Sequence, residues 1–116
     1  MTPWNASWKP MKDSKTLQAL GLCAKARVLI MGTPLICDAL KADAKKICLV
    51  IGASDNSENT AKRLRDRCAY YGVPLHLLEA DGDALSRALG KHTRVAAVAV
   101  TDEQLSRLVK KTLQRE

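Results

Sequence analysis

Two stretches of this sequence bring together residue types suited to holding an anion. In the first, the apolar run Ile47-Cys48-Leu49-Val50-Ile51 breaks at Gly52 into the polar loop Ala53-Ser54-Asp55-Asn56, and a segment carrying Lys62, Arg63, Arg65 and Arg67 follows. A buried strand feeding a basic helix through a short loop aims backbone N–H groups and cations the same way, an arrangement that suits a phosphate. In the second, Gly90 releases a loop in which Lys91, His92 and Arg94 can follow a phosphate chain. Such contacts position a polyanion without reading its sequence. The Gly52 loop lacks the G-x-G-x-x-G and G-x-x-x-x-G-K-[ST] nucleotide fingerprints. No Ser-His-Asp or paired-carboxylate arrangement can be argued from spacing, so the expectation is a protein that is not an enzyme.

Composition supports an anionic partner. The chain has 116 residues and a formal net charge of +7, which favours polyanions through phosphate neutralisation and counterion release. Its length suits one domain with a single core. Aromatics are scarce: there is no Phe, and Trp4, Trp8, Tyr70 and Tyr71 are the whole set. The core must therefore be Leu, Ile, Val, Ala and Cys, and base stacking on aromatic side chains is not the expected mode. Cys23, Cys37, Cys48 and Cys68 are dispersed, without a C-x-x-C pair or a histidine at ligand spacing. They read as small hydrophobes in a reducing compartment, with neither metal nor cofactor expected. There is no signal-peptide pattern and no apolar run of membrane-spanning length, so a cytoplasmic protein, and by default a monomer, is expected.

The elements that must position these loops follow from periodicity. Met1 to Asp13 reads as a flexible leader, with two prolines and no periodicity. A helix starts at Ser14, with Leu17, Leu20 and Ala24 at helical spacing. Val28–Met31 is a strand closed by Gly32. Thr33 then caps a helix that has Pro34 in its first position, runs to about Lys41 and buries Leu35, Ile36 and Leu40. The strand Ile47–Ile51 leads to a helix capped by Asn56 or Ser57, with Ala61, Leu64, Cys68 and Tyr71 on its apolar face and Gly72 ending it. Val73–Leu78 is a strand, Asp83–Leu89 a short helix stopped by Gly90, and Val95–Val100 a wholly apolar strand. Asp102 caps the last helix. Helices alternate with continuously apolar strands, the signature of a mixed or parallel sheet covered on both faces. The expected fold is a single-domain α/β/α sandwich of three layers with a mixed four-stranded sheet. Ligands gather at strand ends in such sheets, which singles out Gly32-Thr33, Gly52–Asn56 and Gly90–Arg94. The last precedes its strand, so spacing alone does not assign it to the same edge.

Four segments, in register, carry a family resemblance: Leu20–Arg27, Ala53–Thr60, Cys68–Pro74 and Leu89–Val95. They resemble the YlxQ-like bacterial proteins of the kink-turn RNA-binding ribosomal protein superfamily, which includes the large-subunit proteins seven-Ae and thirty-e. The resemblance covers roughly Lys15 to the C-terminus and implies that residues 14–116 form a ribosomal-protein-like RNA-binding domain in the translation apparatus, within a ribonucleoprotein. It further implies that the three connections above grip structured RNA together, ribosomal or kink-turn-like, placing Gly90–Arg94 beside the other two.

The chain departs from that pattern at one place. Kink-turn binders carry Gly-x-Asn-Glu-x-x-Lys at the start of the second helix, where Asn and Glu read sheared G·A pairs. Here the segment is Gly32-Thr33-Pro34-Leu35-Ile36-Cys37-Asp38, and only the glycine matches. The expectation is an RNA gripped by backbone at Gly32 and Thr33 and by Lys62, Gly90, Lys91, His92 and Arg94, with less base reading. The alternative is a protein-interaction module on the same scaffold that has lost kink-turn recognition.

Overall fold

The computed structural model describes residues 14–114; the expected leader over 1–13 lies outside them. Five helices and four strands alternate: α1 (Ser14–Lys25), β1 (Leu29–Met31), α2 (Thr33–Asp43), β2 (Leu49–Gly52), α3 (Glu58–Tyr71), β3 (Leu75–Leu77), α4 (Gly82–Ala88), β4 (Ala97–Val100) and α5 (Glu103–Gln114). The sheet order is β1-β4-β2-β3. β4 runs antiparallel to both its neighbours, while β2 and β3 are parallel, so the sheet is mixed.

The continuous apolar runs now have their explanation. Leu49, Ile51, Val98 and Val100 point to one face, where Ala19, Leu20 and Cys23 of α1, Leu85 of α4 and Val109 of α5 cover them. Val50, Ala97 and Ala99 point to the other, under Ile36 and Leu40 of α2 and Leu64 and Cys68 of α3. Alternate residues serve opposite cores, so no polar alternation survives in the central strands. Every residue of β2 and β4 is buried. Each such Val, Leu or Ile contributes about 1.5–3 kcal/mol relative to exposure.

Local signals mostly act where the sequence puts them. The Ser57 side chain accepts a hydrogen bond from Thr60 N–H and caps α3, and Gly72 closes that helix at φ 70°. Asp102 Oδ2 accepts from Leu105 N–H at 2.9 Å and caps α5. Other expectations are corrected. Thr33 is not the cap of α2 but its first helical residue; Gly32, at φ 100°, is the cap, and Ile36 N–H closes the first turn on its carbonyl. Leu35 is 59 % exposed, because Thr33, Ile36 and Leu40 form the buried stripe and Leu35 falls beside it. β2 begins at Leu49 because the Ile47 N–H is taken by Ala44 O in a 3₁₀ turn over Ala44–Lys46. α4 starts one residue early, capped by Asp81 through Ala84 N–H.

Candidate nucleic-acid interface

Sheet register brings the ends together. Met31 at the end of β1 sits opposite Val98, and Gly52 at the end of β2 opposite Ala97, both at the start of β4. Gly32 N–H donates to Ala97 O and Ala53 N–H to Ala96 O, each at 2.9 Å. The Gly32-Thr33 turn, the Gly52–Asn56 loop and the segment leading into β4 therefore share one end of the sheet. The β3–α4 connection joins them, with Ser54 N–H donating to Ala80 O at 2.9 Å. The reason is direction: an antiparallel β4 starts where its neighbours end.

Side chains stitch one side of this end. Asp55 Oδ1 accepts from Gly82 N–H at 2.9 Å and from Arg94 Nη2 at 2.7 Å. The same Nη2 donates to Asn56 Oδ1 at 3.1 Å, while Asn56 Nδ2 donates to Ala96 O at 3.0 Å. The bond to Arg94, then that from Gly82 N–H, holds the Asp55 carboxyl below its usual range. Arg94 lies so close over Gly82 that a Cβ there would come within 2.5 Å of its Nε. Ser86, buried, completes the stitching: its Oγ donates to Gly82 O and accepts from Val95 N–H, both at 2.7 Å. Sequence reading treats Arg94 as a free loop cation; in the fold its guanidinium binds Asp55 and Asn56 of the Gly52–Asn56 loop. Gly82 and Ser86 are missed altogether, since an exposed-looking Gly-Asp turn and a helical serine give no sign of partners across the loops.

The other side is bare. No side chain caps α2, and the Thr33 Oγ1 is buried without a hydrogen-bond partner. Pro34, near the helix start, brings no N–H of its own. Gly90, at φ 73°, ends α4, and Lys91 N–H folds back onto Ser86 O at 2.9 Å. Lys91 and His92 then lie exposed. Lys62 is exposed on α3, beside Asn59, Arg63, Asp66 and Arg67 of its own helix; it is not drawn into the loop cluster by any described contact.

The cysteines are not poised for chemistry. Cys23 and Cys68 are buried and Cys37 and Cys48 half-buried. Burial pushes the Cys68 thiol up to about 11. Among the described residues no group of three or more His, Cys, Asp or Glu could hold a metal ion, and no helix is long and apolar enough to cross a membrane.

Fold and site define a small α/β/α domain with basic, glycine-framed loops gathered at one sheet end. The chain belongs to the ribosomal protein L7Ae/L30e/S12e/Gadd45 family, whose model matches residues 14–110. It is 39 % identical over 93 residues to RNA-binding protein YlxQ of Bacillus subtilis, covering 80 % of this chain and 89 % of that protein. It is 32 % identical over 84 residues to RNA-binding protein YlxQ of Enterococcus faecium, covering 72 % and 79 %. Among solved structures, a Bacillus halodurans protein of unknown function superposes with a TM-score of 0.77 at 35 % identity, covering 86 % of this chain and 97 % of that one. A 15.5 kDa RNA-binding protein of Giardia lamblia shares the fold, with a TM-score of 0.76 at 18 % identity, covering 92 % and 88 %.

Proposed function

We propose that this chain is a non-catalytic RNA-binding protein that takes structured RNA against the loop end of its sheet. The observation that carries the reading is the convergence of the Gly32-Thr33 turn, the Gly52–Asn56 loop and the Gly90–Arg94 loop at that end, in a chain of net charge +7. The names of its YlxQ relatives, RNA-binding proteins, support the same partner.

Within this reading the residues divide their work. Lys91 and His92 meet phosphates from the exposed loop, with Lys62 a more distant contact along α3. Thr33 offers backbone at the start of α2, where orphan N–H groups favour an anion, while Gly32, whose N–H is taken by Ala97 O, shapes the turn that presents it. Arg94, although 42 % exposed, spends its guanidinium on Asp55 and Asn56, so it acts as a positioning residue. Ribosomal RNA is the proposed target and the cytoplasm the proposed compartment, with the protein acting as a monomer in the translation apparatus. Pro34, Leu35 and Asp38 replace the Asn, Glu and Lys of kink-turn binders, so the proposed grip uses phosphate contacts with little reading of sheared G·A pairs.

The test is binding to ribosomal RNA fragments across a salt series. Affinity should fall steeply as salt rises, as counterion release requires. Absent or salt-insensitive binding would overturn the reading and favour the protein-interaction alternative.

A further inference from the structure

On the face of the sheet covered by α1 and α4, an open groove of about 500 Å³ lies between those two helices. Leu17, Leu22 and Leu89 give it apolar surface, and the exposed side chains of Lys25 and Arg87 stand beside them. Gly21 and Ala88 also line it, and a Cβ on Gly21 would come within 3.0 Å of Ala88 O. The helices thus meet almost backbone to backbone, with no bulky side chain to fill the space above the crossing. Leu22 is 53 % exposed, because Thr16, Ala19, Leu20 and Cys23 form the buried stripe of α1 and Leu22 falls outside it.

Charge is the second observation. No carboxylate lines the groove, and α1 has no acidic residue along its length. Among the described residues the ion pairs engage Arg94 and Arg107, and neither Lys25 nor Arg87 enters one. An aliphatic channel with an unspent cation on each helix complements a partner that carries carboxylates beside its apolar side chains.

We propose that this groove docks a protein partner through an acidic amphipathic helix, with apolar side chains at i and i+4 against Leu17, Leu22 and Leu89 and carboxylates on Lys25 and Arg87. The inference goes beyond the RNA-binding reading and adds a second surface, facing protein. A helix fits better than an extended strand: a strand needs free backbone partners, which the sides of two helices do not present, whereas a helix satisfies its own backbone. Leu17 to Lys25 covers about 12 Å along α1, or about two turns of a partner helix. RNA fits less well, because the aliphatic surface between the two cations offers bases neither aromatic stacking nor hydrogen bonds.

The experiment selects phage-displayed peptides of about fifteen residues on the full-length chain. Fluorescence anisotropy then measures the recovered peptides against the unaltered protein, Leu22→Gln and the double variant Lys25→Gln with Arg87→Gln. Recovered peptides should carry apolar residues at i and i+4 flanked by Asp or Glu, and each variant should bind them about tenfold more weakly. All three positions are exposed, and an unchanged melting temperature separates lost docking from lost folding. Leu22→Gln should leave affinity for ribosomal RNA fragments in place. Recovery of no binding peptide, recovery of peptides without carboxylates, or binding untouched by both variants would overturn the proposal while RNA binding stood. An equal loss of RNA affinity in Leu22→Gln would make the groove part of the RNA face and overturn it too.

Discussion

Two buried hydroxyls at the same end of the sheet behave in opposite ways. Ser86 Oγ both donates and accepts, tying α4 to the strand entry at Val95. Thr33 Oγ1, at the start of α2, is equally hidden and bonds to nothing. The contrast extends to their surroundings. Around Ser86, the Arg94–Asp55–Asn56 contacts bind three connections together; around Thr33, a glycine cap and a proline leave backbone and an exposed leucine. The stitched side holds the geometry of the loop end, and the bare side, with Lys91 beside it, is where the proposed reading puts the RNA.

The comparison can be broken most directly at Ser86. Ser86→Ala strips the partner from the Val95 N–H, and a buried donor left unpaired costs about 1–3 kcal/mol. Urea denaturation should show that loss; an unchanged midpoint would mean the hydroxyl stitches nothing. Thr33→Val should act with the opposite sign. Replacing an unpaired buried hydroxyl by a methyl of similar shape should raise stability by about 1 kcal/mol in the same assay. Equal losses for the two variants would erase the distinction.

Gly82 sharpens the picture further. Its missing Cβ leaves room for Arg94, the source of all three of the nearest atoms a Cβ would meet. Gly82→Ala should therefore destabilise the unaltered protein modestly but lose that cost in an Arg94→Ala background, where alanine's better helix propensity is worth at most about 1 kcal/mol. Thermal unfolding of the single and double variants measures the coupling, and additive effects would contradict the close packing.

The smallest effect concerns acid. The Asp55 carboxyl is held below its usual range by Arg94, then by Gly82 N–H. A depressed folded-state pKa contributes stability that is fully present above the unfolded value, about 3.9, and is lost as pH falls through the folded one. The loop end should be insensitive to pH from neutrality to about 4 and loosen below that. Asp55→Asn should flatten the acid limb of a stability–pH curve, by no more than an exposed pair allows.

Much of the fold was legible because it rests on local signals. Continuous apolar runs at Leu49–Ile51 and Ala97–Val100 announce strands covered on both faces, and Ser57, Gly72 and Asp102 mark helix ends in the positions found. Leu35 misled because apolar character suggests burial, whereas the stripe of Thr33, Ile36 and Leu40 leaves it outside. The site was legible as loops but not as a network. Arg94 and Asp55 stand 39 residues apart, and Asp55 and Gly82 27 apart; no periodicity links such positions, and the direction of β4, which brings them together, cannot be read from an apolar run. A cation in a glycine-released loop looks the same in sequence whether it meets a partner or solvent, which is why Lys91 and Arg94 were indistinguishable.

That last pair supports the most direct test. RNA affinity should be measured against salt for the unaltered chain, Lys91→Ala and Arg94→Ala. If Lys91 meets phosphate while the Arg94 charge is spent on Asp55, Lys91→Ala should lower the slope of log affinity on log salt by about one, while Arg94→Ala leaves the slope in place and lowers affinity uniformly. A slope reduced by Arg94→Ala and untouched by Lys91→Ala would contradict the account.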